Sequence, residues 1–400
     1  MSNSRNYDII VVGAGIVGLT VALEVRRRHP SARIAVLEKE AEVGKHASGR
    51  NSGVLHAGIY YGSDTLKAKV CSAGSRAMQE YALERGIKMN KTGKVIVATR
   101  PETAVQIDVL QKRANDNGIR VQRLDARALK EIEPHARSFG DALYSPDTAV
   151  IDVKAVMETL RGELLSSGID LILNAQVTAI SPKGKSLSTN NATYEYGHLL
   201  NCAGAYADRI AHLFGVGRQF AIVPFRGSYY LLSNEKNDWV RGSIYPAPDL
   251  RYPFLGVHLT RGISGDVYLG PTATPALGRE NYRGFEGIET REFLLIFGRL
   301  ARMYYQNEDH FRSLVHSEIA KYSKQRFLRE LQAMVPGLEE KDLVSCDKAG
   351  IRPQLVNTVS WKLEMDFIIE QGPDSTHVLN AISPAFTGAF EFAKLVADML

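Results

Sequence analysis

The sequence predicts an α/β fold with two domains, one built on a mostly parallel sheet and the other on an antiparallel sheet. Residues 7–38 run in the order strand, glycine-rich turn, helix, strand, which is the repeating unit of a parallel sheet. Segments 224–232, 254–260 and 266–270 instead alternate with a period of two, as strands of an antiparallel sheet do. A chain of 400 residues is long enough for both domains.

The first strand leads directly into a turn that carries three glycines. The β-branched run 9–12 is typical of a strand covered on both faces, and Gly13, Gly15 and Gly18 follow it with G-x-G-x-x-G spacing. These glycines permit, in order, a tight turn, the approach of a pyrophosphate, and a helix lying close to the strand. Glu38 ends the next strand, where its carboxylate can accept hydrogen bonds from both hydroxyls of an adenosine ribose. Together these features indicate a Rossmann-like dinucleotide-binding unit.

The motif by itself leaves alternatives open. An ordinary βαβ turn can also be rich in glycine, although it needs neither the helix nor the acid at this spacing. The motif does not separate FAD from NAD as the dinucleotide. An acid beside the ribose disfavours a 2′-phosphate and therefore NADP.

Residues 39–64 show little regular pattern and contain many small and hydrogen-bonding residues. The small residues suit a backbone that lies against a flat ligand, and the interspersed Val54, Leu55 and Ile59 favour burial over a solvated loop. Polar side chains in this stretch can donate to phosphates and to ring heteroatoms. We therefore include in the cofactor site Lys39, Ser48, Gly49, Arg50, Asn51 and Ser52.

A second strand–turn–helix transition lies at 194–208, with Ala203 and Gly204 at its turn. A second small-residue turn beside the first phosphate loop is expected of an FAD-binding domain, so it weakens the NAD interpretation. Residues 289–334 are predicted to be helical and to form an insertion or a segment that covers the sheet. The division that follows gives a discontinuous FAD-binding domain (1–90, 140–215 and 344–400) and a substrate domain (91–139 and 216–343).

Composition excludes several classes of protein. The net charge of +5, from 49 basic and 44 acidic residues, is too small to indicate nucleic acid as a partner. The 3 cysteines are far apart and no C-x-x-C or H-E-x-x-H spacing occurs, so we expect no metal and no disulfide framework. The G-x-S-x-G of a hydrolase is absent as well. Without an 18-residue apolar run or an apolar signal core, we expect a cytoplasmic enzyme.

Longer motifs resemble a known family. The run HASGRNSGVLHAGIYY (46–61) resembles the FAD-dependent D-amino-acid oxidase superfamily, and within it the L-2-hydroxyglutarate dehydrogenases and oxidases. Later segments resemble the same family in the same order: PFRGSYY (224–230), YPFLGVHLT (252–260), GPTATPALGRENY (270–282) and KAGIRPQ (348–354). The resemblance implies a D-amino-acid oxidase-like fold in which FAD oxidises L-2-hydroxyglutarate, a small dicarboxylic hydroxy acid, to 2-oxoglutarate by hydride transfer to flavin N5.

The resemblance also implies how the cofactor is held and reoxidised. It places the backbone of Val177 at the adenine, places Gly350, Ser383 and Gly388 near the flavin, and directs the last helix at the flavin pyrimidine ring. The apolar run 386–390 replaces a polar run of the family, so the local flavin contacts are expected to differ. Electrons pass to a membrane quinone or to oxygen. We expect a quinone, with peripheral attachment to the inner membrane.

The chemistry requires an acceptor for the hydroxyl proton and cations for the carboxylates. His258 in the GVHLT strand is our candidate base and His56 our candidate flavin contact, although the sequence does not decide which histidine is the base. The planar fork of arginine suits a carboxylate. The remaining candidates for the substrate site are Arg226, Arg352 and Arg261, with Tyr230 as a hydroxyl donor.

Other classes of function compete with this hypothesis. A related flavoenzyme could oxidise an amino acid, a secondary amine or glycerol 3-phosphate. A non-catalytic flavoprotein would bind FAD that no substrate bleaches. The second glycine turn and the return of the chain to the first domain disfavour a nicotinamide-linked enzyme.

Overall fold

The computed structural model describes residues 5–400, and the strands among them number twenty. In chain order they are β1 (Arg5–Val12), β2 (Ile34–Leu37), β3 (Val54–Leu55), β4 (Met89–Asn90), β5 (Lys94–Val97), β6 (Gln122–Leu124), β7 (Ala142–Ser145), β8 (Ala149–Ile151), β9 (Asp170–Ile172), β10 (Val177–Ser181), β11 (Ser186–Thr189), β12 (Thr193–Asn201), β13 (Phe220–Leu232), β14 (Ser243–Pro246), β15 (His258–Arg261), β16 (Val267–Gly270), β17 (Thr274–Pro275), β18 (Leu343–Asn357), β19 (Ile368–Gly372) and β20 (Ser375–Asn380).

The helices of the same residues alternate with these strands. They are α1 (Ile16–Arg28), α2 (Leu66–Glu84), α3 (Val105–Asp116), α4 (Ala126–Ile132), α5 (Val153–Ser166), α6 (Ala207–Leu213), α7 (Thr290–Gln306), α8 (Phe311–Ala320), α9 (Lys324–Gln332) and α10 (Ala389–Ala397). The predicted helical insertion at 289–334 is therefore present as α7 to α9.

The first sheet has eight strands and contains the predicted βαβ unit. Strand β1 lies between β2 and β12 and runs parallel to both, and β20 runs parallel to β12 on its other side. Because Val12 is level with both Leu37 and Asn201, the carboxyl ends of three neighbouring strands meet at one edge. Ligands of open α/β sheets bind at this edge.

Helices α1, α2, α5 and α10 cover the first sheet. Gly18 in α1 allows the close approach that the sequence predicts, since a Cβ there would lie 1.9 Å from the Gly13 carbonyl oxygen. A second close approach joins α2 to the start of α10, where a Cβ on Gly74 would lie 2.6 Å from the Gly388 Cα. These contacts close one large apolar core beneath the sheet edge.

The second large sheet has nine strands and is mostly antiparallel, as predicted. Its long central pair is β13 and β18, whose register runs from Phe220 opposite Asn357 to Leu232 opposite Leu343. Two of its strands, β7 and β18, come from segments that the sequence analysis assigns to the FAD-binding domain. Strands β3, β8 and β4 pair in that order and form a separate, smaller sheet of three strands.

A buried ion network joins the two halves of the chain. The Arg279 guanidinium donates to Asp208 of α6 at 2.5 Å and to Glu292 of α7 at 2.9 Å, and all three side chains are almost fully buried. Asp208 also accepts from the backbone N–H of Ile222 on β13 at 3.0 Å. Because removal of one partner would leave an uncompensated buried charge, breaking this network would cost about 3–5 kcal/mol.

Candidate active site

One cavity of about 660 Å³ runs from the carboxyl edge of the first sheet to the face of the second sheet. Both halves of the chain line it, so residues of the dinucleotide-binding unit and residues of the antiparallel sheet share one cavity. The residues from the sequence analysis that line it are Gly13, Gly15, Glu38, Lys39, Ser48, Arg50, Asn51, Ser52, His56, Val177, Ala203, Gly204, His258, Gly350, Arg352 and Ser383.

The glycine turn forms a cradle that side chains would fill. Gly13 has a φ of +105°, and a Cβ on it would lie 2.5 Å from the Cys202 carbonyl oxygen, so both the backbone and the space require glycine. A Cβ on Gly15 would meet only the Ser48 hydroxyl, at 3.1 Å, and would otherwise project into the cavity. Helix α1 begins at the next residue and aims its N–H groups at this space.

Glu38 and Ser48 hold the turn in this shape. The Glu38 carboxylate accepts from the backbone N–H groups of Ala14 at 2.8 Å and Glu40 at 3.0 Å, and Ser48 accepts from Ile16 N–H at 2.9 Å. Glu38 thus orders the phosphate turn as well as facing the ribose position, a role that the sequence analysis did not predict. The hydrogen bond to Ser48 places a hydroxyl at the start of α1, beside the space for a pyrophosphate.

A loop from the second half of the chain, residues 279–282, reaches across the nucleotide end of the cavity. The Glu280 carboxylate forms an ion pair with the Lys39 ammonium at 2.7 Å. The Tyr282 hydroxyl and His46 Nδ1 share a hydrogen bond of 2.7 Å. The Arg50 guanidinium lies over the Tyr282 ring at 4.0 Å. Lys39 also contacts Glu40, so an ammonium stands between the two carboxylates of this cluster and compensates their charge.

Three of the predicted cofactor residues lie off the cavity surface, each for a steric reason. Gly18 packs α1 onto the first turn, as described above. Gly49 approaches backbone, since a Cβ there would lie 2.5 Å from the Gly44 carbonyl oxygen. Gly388 serves the crossing of α2 and α10, and the cavity wall at that point is formed by Thr387 and Phe386. These glycines allow close backbone packing behind the cavity wall and so affect the shape of the cavity without lining it.

His258 is placed and oriented as a proton acceptor. It is buried at the start of β15, and its Nδ1 donates to the Gly256 carbonyl at 2.8 Å, which leaves the lone pair on Nε2. Its ring stacks on the ring of Tyr245 with centroids 3.7 Å apart and planes 18° apart. Burial lowers the pKa of His258 to about 3, so the imidazole is neutral at ordinary pH.

His56 lines the same cavity as His258 and follows directly after β3 in the first half of the chain. Its backbone N–H donates to the Thr387 hydroxyl at 3.2 Å, which ties the loop after β3 to the start of α10. The Nδ1 atom of His56 is buried and has no hydrogen-bond partner in the part of the chain that the structure describes. Burial, with the positive charges of Lys94 and Arg352 nearby, lowers the pKa of His56 well below its ordinary value. This neutral ring can accept a proton or a hydrogen bond from a ligand.

Arg352 provides a partly buried cation at the substrate end. It projects from β18, donates to the Pro253 carbonyl at 2.6 Å and lies 5.3 Å from the centre of the Phe254 ring. Burial lowers its pKa to about 10, and no carboxylate of the described residues pairs with it. A guanidinium in this environment gains from an anionic ligand, because the ligand supplies the missing counter-charge.

The structure corrects three substrate-site candidates. On β13, Phe225, Gly227 and Tyr229 line the cavity, so the alternating residues Arg226 and Tyr230 point to the other face. Arg226 contacts the Tyr322 hydroxyl there, and Tyr230 packs against Phe327. Arg261 donates to the carbonyls of Val240, Asn237 and Gly265, so it holds a surface loop.

Two tyrosines of the cavity were missed by the sequence analysis. Tyr229 is next to the candidate Tyr230 in the sequence, and assigning the opposite face of the strand to the cavity would have identified it. Tyr245 supports His258 but lies in a stretch without a distinctive motif. Burial raises the pKa of both phenols above the ordinary value, so both are protonated hydrogen-bond donors.

The fold and the cavity define a dinucleotide-binding oxidoreductase with its substrate site on an antiparallel sheet. The sequence model of the family described as FAD dependent oxidoreductase matches residues 8–399, so this chain belongs to that family. FAD is its cofactor, and the glycine cradle, the N-terminus of α1 and the cavity that both halves of the chain line fit that group.

Among curated relatives, the chain is similar to proteins named L-2-hydroxyglutarate dehydrogenase. It is 36% identical to the mitochondrial protein of Nematostella vectensis, over 99% of this chain and 90% of the relative. It is 37% identical to the protein of Escherichia coli strain K12, over 96% of this chain and 90% of the relative. These relatives agree with the family that the motifs indicate.

Solved structures share the whole fold. An L-α-glycerophosphate oxidase from Mycoplasma pneumoniae, solved with FAD bound, superposes with a TM-score of 0.79 at 22% identity, covering 99% of this chain and 95% of that chain. Glycine oxidase from Geobacillus kaustophilus gives a TM-score of 0.73 at 18% identity, covering 99% and 94%. At these identities the likeness shows the fold, and the predicted D-amino-acid oxidase-like architecture is confirmed.

Proposed function

We propose that this FAD-dependent oxidoreductase oxidises L-2-hydroxyglutarate to 2-oxoglutarate. The observation that carries the proposal is that one cavity is lined both by a neutral histidine with a free Nε2 and by an arginine without a carboxylate partner among the described residues. An α-hydroxy acid needs both groups, one for its hydroxyl proton and one for a carboxylate. The curated relatives supply the name of the substrate.

His258 acts as the general base in this proposal. Its Nδ1–H is held by the Gly256 carbonyl, so the ring presents the Nε2 lone pair in a fixed tautomer. Stacking on Tyr245 fixes the ring plane, and that order lowers the cost of reaching the reactive geometry. The bound FAD supplies the acceptor for the hydride that leaves the carbinol carbon.

Arg352 binds a substrate carboxylate in this proposal. Its guanidinium and the Tyr229 hydroxyl both belong to the wall of the substrate end. A dicarboxylate binds better than a monocarboxylate because each anionic group can receive donors in a buried site. His56 lines the same cavity and would offer the flavin or the substrate a neutral nitrogen that has no partner among the described residues.

Anaerobic mixing of the yellow holoenzyme with each enantiomer of 2-hydroxyglutarate tests the proposal. We expect L-2-hydroxyglutarate to bleach the flavin absorbance and the D-enantiomer to leave it unchanged, with 2-oxoglutarate formed in equal amount. Lactate should bleach it poorly because it lacks the second carboxylate. Bleaching by an amino acid, a secondary amine or glycerol 3-phosphate, but not by L-2-hydroxyglutarate, would favour the related flavoenzymes instead.

We further propose that a membrane quinone accepts the electrons, with the protein attached peripherally to the inner membrane from the cytoplasmic side. Helix α7 supports this, because Leu294, Leu295 and Phe297 are about half exposed or more and Arg291 and Arg302 flank them. Within residues 5–400, no helix is long and apolar enough to cross a bilayer. Ubiquinone analogues should reoxidise the reduced enzyme in the presence of anionic vesicles. Stoichiometric peroxide under air, without quinone reduction, would overturn this proposal.

A further inference from the structure

A lysine is buried behind the substrate end of the cavity without a hydrogen-bond partner. Lys94, the first residue of β5, is 1% exposed, and its Nζ makes no hydrogen bond to any group of residues 5–400. The ammonium lies between two aromatic rings, 4.6 Å from the centre of Tyr60 and 5.0 Å from the centre of Tyr245. Burying a cation that only ring faces stabilise costs free energy of folding, so we expect this lysine to have a functional role.

The strand register explains why this lysine lies next to the proposed base. Strand β14 lies between β5 and β15, with Ile244 opposite both Val95 and Leu259. Tyr245 therefore neighbours His258 on one face of the sheet, and Lys94 is on the same face one row away. The Tyr245 ring contacts the Lys94 ammonium and stacks on the imidazole of His258, so a single aromatic ring links the two groups.

We propose that Lys94 is a positioning residue that acts through Tyr245 and adds to the effect of burial in keeping His258 in its neutral, proton-accepting form. The inference rests on the proposed function, in which His258 is the base. Protonation of His258 would place two cations next to one buried ring, where their repulsion is weakly screened. The repulsion also helps His258 to lose the proton that it takes from the substrate.

The other groups around this pair leave the repulsion uncompensated. Cys71 of α2 faces Lys94, but burial raises the pKa of its thiol to about 12, so it carries no charge. The backbone carbonyl of Gly256 faces His258, and His56 across the cavity is neutral. No carboxylate of the described residues acts on Lys94, His56 or His258.

The order in which Lys94 and His258 gain a proton decides over which pH range the repulsion acts. Burial lowers the pKa of Lys94 to about 7, so the lysine gains its charge as the pH falls through neutrality. An unperturbed histidine would begin to protonate in the same range. Lys94 therefore becomes charged before His258 can, and its charge adds to burial, which is the main cause of the low pKa of His258.

Titration of the histidine rings in the holoprotein tests this without any substrate. In ¹⁵N-histidine-labelled wild type, we expect the ring nitrogens of His258 to stay neutral from about pH 8 to about pH 4. In Lys94→Met and in Lys94→Gln, the protonation midpoint of His258 should move to higher pH. Lys94→Arg keeps the charge and should restore the wild-type titration. Indistinguishable titrations in wild type and both neutral variants would overturn the inference.

The pH profile of anaerobic flavin reduction by L-2-hydroxyglutarate is the second measurement. We expect the acid limb of kcat/KM to move to higher pH in Lys94→Met and to stay in place in the control Lys348→Met. Lys348 is a suitable control because its Nζ lies over Tyr268 at 3.9 Å on the same sheet, yet it does not act on His258. A higher KM for the dicarboxylate with an unchanged pH profile would instead make Lys94 a substrate-binding residue and overturn the inference.

The two measurements separate the inference from the function on which it rests. If L-2-hydroxyglutarate fails to reduce the flavin, the proposed function fails, whereas the histidine titration is still interpretable. If the substrate reduces the flavin but neither neutral variant shifts the titration, only the role of Lys94 fails.

Discussion

The nucleotide end and the substrate end of the cavity differ in how directly the sequence encodes them. At the nucleotide end, residues that motifs single out, such as Gly13, Gly15 and Glu38, lie on the cavity and shape it. At the substrate end, three of the named candidates, Arg226, Tyr230 and Arg261, point elsewhere. The difference teaches that a glycine turn carries its own geometry, whereas a strand offers two faces that only tertiary packing distinguishes.

We expect the largest effect from a substitution that blocks FAD binding at the nucleotide end of the cavity. Gly15 has a φ of −76°, so the backbone accepts a side chain and Gly15→Leu should leave the fold intact. The new side chain would occupy the pyrophosphate space, and we expect the purified protein to be colourless. FAD content per protein measures this. Gly162→Leu is the matched control, because a Cβ at Gly162 has no neighbour within 4 Å; loss of FAD from both variants would refute the steric argument.

At the substrate end, the largest effect should come from His258. Replacing the proposed base by glutamine should lower kcat by roughly 10²–10⁴-fold while FAD remains bound. Stopped-flow reduction of the flavin measures this directly. His316→Gln, which changes an exposed histidine bonded to Tyr304, should keep the wild-type rate. An unchanged rate in His258→Gln would transfer the role of base to His56.

The two faces of the second sheet can be compared through a pair of arginines. Arg352→Ala removes the partly buried cation and should raise KM by the equivalent of about 2–5 kcal/mol of binding. Arg226→Ala should leave KM nearly unchanged, because Arg226 lies on the face away from the cavity. Steady-state kinetics with L-2-hydroxyglutarate and a quinone analogue measure both. Equal increases in KM would show that the cavity does not define the substrate site.

The smallest effect should distinguish two adjacent tyrosines. Tyr229→Phe removes a hydroxyl from the cavity wall and should weaken substrate binding by about 0.5–1.5 kcal/mol, a few-fold change in KM. Tyr230→Phe acts on a ring that packs against Phe327, so KM should stay at the wild-type value. The same assay serves for both variants. A reversed order would mean that β13 presents its other face to the substrate.

Much of the fold could be predicted from the sequence, because its strongest signals are local. The βαβ unit, the period-two strands of the second sheet and the helical insertion all follow from patterns within a few dozen residues. The long pair β13 and β18 joins segments more than 100 residues apart, and no local pattern indicates that β18 belongs to the second sheet.

The site could be predicted only where motif and geometry coincide. Lys94, Tyr60 and Tyr245 form one cluster from three distant segments, and each residue alone looks like ordinary sheet or loop. Similarly, Glu280 and Tyr282 reach the nucleotide end from the far half of the chain. Such contacts depend on how two sheets pack against each other, which neither periodicity nor spacing encodes.

The loop at 279–282 has a consequence for the stability of the holoenzyme. It is anchored to Lys39 and His46 of the first half of the chain, and Arg50 stacks on its Tyr282. We therefore expect this loop to retain bound FAD, so that the exchange of the cofactor depends on the rate at which the loop detaches from these three anchors.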